Sequence, residues 1–440
     1  MENSNEEFIK TNMKYNQKLF KFYKMISWDL IFYYAISFLF LTQEKGLSTS
    51  QIIFADAFYP IFKILFQLPI TILVKKIGKK KTLMIGNLSL ATYVLIVMGL
   101  SSTLGYIISD IFCALGFVIK GTIESNFLYD SIENNENKRS IFSRIDSSGS
   151  ALYFFFDAIT SAISGFLFVV NPYIPMCLCL ILTLCSFGIS CKFKEIPINK
   201  SISNNLNDNN YDNLTIIRKI KIYIKDLKQA FKFIFNSNRL RALILFYAIF
   251  STLISLLTTL RRSLLKELSV PNEYFGILFA IWGLIAAFSV KTSNRINKKY
   301  GNQTLSILSL SYVLSILFCG LISILNGLPS FILFFIVFCL ISIQYAVKGP
   351  YQTLIQRYLG SFSTSTMRIK ISSASMLLEN ITCTLLSFII SYLTNHISTA
   401  LSTLIIGIVF LIVFIIILNY MKSRVGLNPE EYSNTDVITK

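Results

Sequence analysis

The chain has 440 residues, of which 53% are hydrophobic and 15% charged, and a formal net charge of +18. A mean hydropathy of +0.59 excludes an ordinary soluble protein and points to a chain that lives in a bilayer. The excess of Lys and Arg lies before span 1 and in alternate loops, most heavily in the one between spans 6 and 7, which argues against nucleic acid as the partner.

A spanning helix needs roughly 20 apolar residues, and twelve such stretches can be drawn. The segment 1–24 reads as a cytoplasmic lead. It holds Lys10, Lys14, Lys18, Lys21 and Lys24 but no apolar core or small-residue cleavage site of a signal peptide. Residues 25–191 carry spans 1 to 6. Residues 192–238 form a polar linker, Asn-rich around SISNNLNDNNYDN, followed by IIRKIKIYIKDLKQAFKFIF. Lysines and apolar residues alternate there at helical spacing, so the second piece reads as a basic amphipathic helix on the inner membrane surface. Spans 7 to 12 follow in 239–421, and 422–440 form a cytoplasmic tail. The loops after even-numbered spans, and the segment before span 1, are basic. The 3–4, 5–6, 9–10 and 11–12 loops carry no Lys or Arg. That alternation predicts both termini in the cytoplasm of a bacterial cell, with the chain in its inner membrane. Arg261, Arg262 and Lys266, at the outward end of span 7, depart from the pattern.

Spans 3, 6, 9 and 12, at about 82–102, 173–191, 304–325 and 399–420, contain no Asp, Glu, Lys or Arg. A charge in hydrocarbon is costly and normally faces protein or a wet cavity. The period of three therefore predicts that these four helices face lipid while the others surround a cavity. Stripes at i, i+3 and i+4 place polar groups on common faces: Asp29, Tyr33 and Ser37; Asp56, Tyr59, Lys63 and Gln67; Lys120 and Glu124; Tyr153, Asp157 and Ser161; Ser251, Ser255, Thr258 and Arg262; Gln344, Lys348 and Gln352; and Ser372, Ser375, Glu379 and Thr382.

A proton-coupled carrier needs a carboxyl whose affinity for protons changes as it is buried or opened to water. Asp29, Glu124, Asp157 and Glu379 are the candidates, with Glu379 and Asp29 first because neither has an opposite charge one turn away. Tyr33, Lys63, Gln67, Lys120, Tyr153, Arg262, Gln344, Lys348 and Gln352 are candidates for the substrate cavity. Lys120–Glu124 also reads as a plain ion pair within one helix. Asp56 reads as a span-end group reaching the interface. The eight cysteines form no metal set, and His396, the only histidine, falls in an external turn, so no metal, cofactor or catalytic residue is expected.

The two sides of the linker look like copies. Lys120-Gly121 recurs as Lys348-Gly349, 228 residues later, and KKIGKKK around Gly78 is echoed by RINKKYG ending at Gly301, 223 residues later. Parallel six-helix halves are a known transporter architecture. With these residues in place, the chain resembles the major facilitator superfamily over essentially its whole length. Residues 68–81, LPITILVKKIGKKK, resemble the superfamily's 2–3 loop signature through Pro69, Gly78, Lys79 and Lys80. Thr71 stands in place of a glycine there, and Lys75 in place of an aspartate. KGTIESNFLYDS and KGPYQTLIQRYL resemble the ends of helices 4 and 10 in a subset of bacterial members. No Gly-Pro antiporter signature is present in span 5.

The resemblance implies an all-α membrane fold of twelve helices in two pseudo-symmetric halves, alternating access about a central site, and an inner gate drawn from Lys75, Gly78, Lys79, Asp130, Arg139, Arg144, Arg357 and Arg368. It also implies a small-molecule substrate, exported with proton coupling and amphipathic in character, carried by a monomer in the lipid bilayer, with no nucleic acid bound and no enzymatic activity. Competing expectations are a lipid or lysolipid flippase, an importer of an anionic solute, and a non-transporting membrane sensor.

Overall fold

The computed structural model describes residues 2–133, 136–196, 216–324, 329–361, 365–422 and 425. Helix α1 (Glu2–Ser27) stops at a five-residue interruption, and the chain resumes as α2 (Tyr33–Leu39) with a π-helical end, Phe40–Glu44. Span 1 is thus two pieces rather than the single helix expected. Asp29 accordingly lies off any common stripe with Tyr33 and Ser37. The local cause is legible: the Asp29 carboxylate accepts the N–H of Leu30 at 2.9 Å, offering the backbone an alternative to the helix. Phe32 takes a left-handed conformation, φ 69°, which is rare for a bulky residue.

Span 2 comprises α3 (Thr49–Asp56) and α4 (Phe58–Ile77), which holds Pro69. The remaining helices of the first half are α5 (Lys79–Gly99), α6 (Thr103–Asp130), α7 (Lys138–Val170) and α8 (Tyr173–Lys192). After the linker come α9 (Ile216–Asn236), α10 (Asn238–Glu267), α11 (Asn272–Tyr300), α12 (Thr304–Ile324), α13 (Ser330–Ser361), α14 (Ser365–His396) and α15 (Thr399–Lys422). Eleven stretches among the described residues are long and apolar enough to cross a bilayer; the broken helix 1 is the remaining crossing.

The chain divides into two compact units, and the division does not follow the linker alone. Residues 48–57, which include α3, group with the C-terminal unit, and residues 272–280, the first turns of α11, group with the N-terminal unit. In the N-terminal unit α5 packs on α6 and α8, and α1 along α7. In the C-terminal unit α12 packs on α13 and α15, and α10 on α14. The charge-free spans also pack on each other, α5 with α8 and α12 with α15, an arrangement that the charge pattern did not specify. Ile408, Val409, Ile412, Ile415 and Ile416 of α15 are exposed, an apolar face suited to acyl chains.

The borrowed stubs are fixed at backbone distance. A Cβ on Gly165 of α7 would lie 3.0 Å from the carbonyl oxygen of Asn272, and one on Gly276 3.0 Å from the Gly165 nitrogen. In the C-terminal unit the Ser391 hydroxyl donates to the Ser50 carbonyl at 2.8 Å, and Thr384 to that of Ala57 at 3.3 Å. Gly276→Leu should therefore lower the thermal unfolding midpoint of the purified protein, by the equivalent of about 1–3 kcal/mol. Gly188→Ala, at a site with open space around it, should leave the midpoint unchanged.

Candidate functional site

The C-terminal unit contains a cleft of about 380 Å³ lined by side chains of α10, α13 and α14. Lys348 and Gln352 enter from α13 and Glu379 from α14, so three of the sequence candidates meet here. The α10 wall is the stripe Tyr247, Ser251, Ser255 and Thr258. Tyr247 donates to Oε2 of Glu379 at 2.5 Å, and Ser251 shares a 2.9 Å bond with the Tyr351 hydroxyl. Tyr351 itself is buried against Phe250, its ring centroid 4.5 Å away, which fixes the hydroxyl's position. Gln344 lies elsewhere, buried, accepting from Arg261 at 3.2 Å. Arg261 also stands 4.8 Å from the Tyr345 ring. Arg261 and Arg262 are 6% and 9% exposed. Their departure from the loop-charge pattern is thus resolved: they are interior groups, not loop charges. Asp56, read as a span-end group, instead accepts from Thr259 at 2.9 Å in this unit.

The N-terminal unit holds a second polar centre around the break in helix 1. Trp28 stacks on Tyr153 with centroids 5.5 Å apart. Lys24 lies 4.3 Å from the Trp28 ring and forms an ion pair with Asp146. Ser27 donates to Glu124 at 3.4 Å. The expected ion pair within α6 is not formed: Lys120 is buried, and its Nζ has no hydrogen-bond partner among the described residues. Tyr33 is buried and accepts from Tyr93 at 2.8 Å, a packing role rather than one in an open cavity. Asp157 is half-buried, with the Ser161 hydroxyl 3.5 Å away on its own helix. Lys63 stands 5.5 Å from the Tyr59 ring, and Gln67 is half-buried.

Beside the 2–3 loop, Lys79 and Asp130 form an ion pair. Gly78 sits at φ 87° at the start of α5, where a Cβ would lie 2.6 Å from Oε1 of Glu195. That same oxygen accepts the backbone N–H of Lys79 at 3.0 Å. Glu195, from the start of the linker, thus brings a carboxylate to the 2–3 loop that has Lys75 where an acid was expected. Asn16 of α1 ties the same region together, bonding the Lys194 carbonyl at 2.8 Å and its N–H at 2.9 Å. Arg139 and Arg144 are exposed and Arg357 half-buried, while the side chains of Lys75 and Arg368 lie outside the described residues.

Comparison with known families decides the class. The Major Facilitator Superfamily profile matches residues 25–377. The chain belongs to this superfamily. Among solved structures, a variant of the nucleoside transporter NupG superposes with a TM-score of 0.70 at 10% identity, covering 93% of this chain and 99% of that one. A D-xylose–proton symporter gives 0.62 at 11% identity, covering 94% and 97%. A POT family transporter in complex with 5-aminolevulinic acid gives 0.61 at 12%, covering 94% and 96%. At these identities the likeness is one of fold. No curated protein matches the sequence.

This superfamily member is a multi-pass transporter of small molecules and not an enzyme. Its sequence hid several residues of the two polar centres. Tyr247 extends the Ser251–Ser255–Thr258 stripe by one turn and was within reach of the periodicity. Trp28, Asp146 and Glu195 carried no local signal, because each acts through a partner far away in the chain. Tyr247→Phe should remove one donor from Glu379 and lower stability by about 1–3 kcal/mol. Adding Glu379→Gln to that variant should cost less than it does in the parent, a non-additivity read from a double-mutant cycle of unfolding midpoints.

Proposed function

We propose that the protein is a proton-coupled secondary carrier of a small organic solute, with Glu379 as the proton-carrying group. What supports the reading is the C-terminal cleft: a carboxylate held by the Tyr247 hydroxyl shares one pocket with the Lys348 ammonium, the Gln352 amide and three further hydroxyl-bearing residues on α10. A protonated Glu379 gives its proton up when the cleft opens to water or to a cation, and regains it when enclosed. Lys348 supplies the cation. Hydroxyls and an amide orient a solute by directional hydrogen bonds, while Ile254 and Ile355 cover its apolar part. Alternating exposure of the site is the mechanism common to carriers built from two repeats.

Net export is the working direction, in exchange for inward protons. The basic loops support placement in the inner membrane of a bacterial cell with both termini inside. The protein is read as a monomer.

Reconstituted into vesicles with an imposed pH gradient, the protein should acidify or alkalinise the lumen only when a transported solute is present. Glu379→Gln should abolish that coupled proton movement, while solute exchange at equal pH persists. Coupled movement at the parent's rate in Glu379→Gln would remove Glu379 from the role.

A further inference from the structure

Lys120 presents an unbalanced charge. It is 3% exposed, and its Nζ has no hydrogen-bond partner among the described residues. The Phe117 ring lies 5.8 Å away. Burying an ammonium without a partner is strongly unfavourable, and a native protein that keeps one has a use for it. Two acids are near enough for their charges to act on it, Glu124 on its own helix and Asp29 at the break in helix 1. Neither bonds it. The Glu124 carboxylate takes the Ser27 hydroxyl at 3.4 Å, and that of Asp29 takes the Leu30 N–H at 2.9 Å. Of the other charged groups around Glu124, Lys24 and Asp146 are committed to each other, and Asp157 stands one helical turn from Tyr153.

Two further observations make this a site rather than a buried accident. The adjacent Gly121, about 100° round the helix from Lys120, has open space where a Cβ would stand. The repeat partner, Lys348, faces the cleft of the other unit. We propose that Lys120 seats the carboxylate or phosphate group of a soluble organic anion inside the N-terminal unit, beside the broken helix. Three donors on one ammonium suit either oxyanion. Trp28, 39% exposed, offers apolar surface at the same break for the organic part. With Asp29 and Glu124 both ionised the neighbourhood is already net negative, so the anion enters with a proton on one of them. That the anion is cargo rests on the carrier reading above; that it binds at Lys120 does not.

The test uses the full-length protein in detergent and its thermal unfolding midpoint. The probes are inorganic phosphate, glycerol phosphate, lactate, succinate and glutamate, each compared with chloride at equal ionic strength. At least one probe should raise the wild-type midpoint by about 2 °C or more. Lys120→Met should erase the probe shift. Lys120→Arg should keep the shift. Glu379→Gln should also keep it, which separates failure of anion binding from failure of the coupling role. A flat response across all five probes overturns the proposal. So does a Lys120→Met variant that keeps the shift, or a shift seen only with phosphatidylglycerol in nanodiscs, which would make the ligand a lipid headgroup.

Discussion

Hydrocarbon supplies no hydrogen-bond partner, and everything distinctive in this protein follows from that. Backbone groups are satisfied inside helices, and side-chain charges retreat into the two units or out to the loops. Where the backbone does leave the helix, at residues 28–32, Leu30 and Ile31 are nearly inaccessible and the Asp29 carboxylate takes over a backbone N–H. An irregular segment at that depth is tolerated only where protein or a wet cavity surrounds it. The break and the polar centre beside it are therefore one feature seen twice.

The two polar centres differ in how they balance charge. In the C-terminal cleft a carboxylate is held by the Tyr247 phenol and shares its walls with an ammonium and several neutral donors. In the N-terminal unit, Lys24 and Asp146 neutralise each other, while Lys120 is left facing two acids that bond elsewhere. A duplicated Lys-Gly pair has thus ended up in two environments. At Lys348 the lysine borders open space; at Lys120 it is enclosed. Gly349 in turn is pressed against α11, where a Cβ would lie 2.8 Å from the Ala286 carbonyl oxygen, whereas a Cβ on Gly121 would meet no other element within 4 Å. One copy has kept the close helix contact and the other the accessible surface.

Much of this was written in the order of residues. Hydropathy and the alternation of basic loops carry the number and course of the spans, because length and charge are local properties. The period of three picked out the helices without charge, because charge avoidance acts on each helix separately, but the packing of α5 on α8 and α12 on α15 was not contained in it. Glu379, Lys348 and Gln352 were found as stripe residues, and their meeting needed only that α13 and α14 turn those stripes inward. The break in helix 1 was missed because it contains neither Pro nor Gly; its signal was a lone Asp, which reads equally as a buried charge on an intact helix. Lys120–Glu124 was misleading for a related reason. Spacing of one turn allows an ion pair but does not require one, and Ser27 from another helix competes for the carboxylate. Glu195 could not be seen at all, since its role depends on the linker folding back onto Lys79.

The exchanged helix ends have a consequence for how the chain is made. Ser50 is synthesised early, but the hydroxyl that satisfies its carbonyl belongs to Ser391, 341 residues later. Gly165 must likewise wait for the turn that begins at Asn272. Until those partners emerge, the Ser50 carbonyl and the close-approach position at Gly165 lack the groups that meet them in the finished fold. Contacts this distant in sequence close late and slow the final assembly. The insertion machinery therefore releases a chain whose last helices complete its first, and a ribosome stalled before residue 391 would leave the opening of span 2 without its seat.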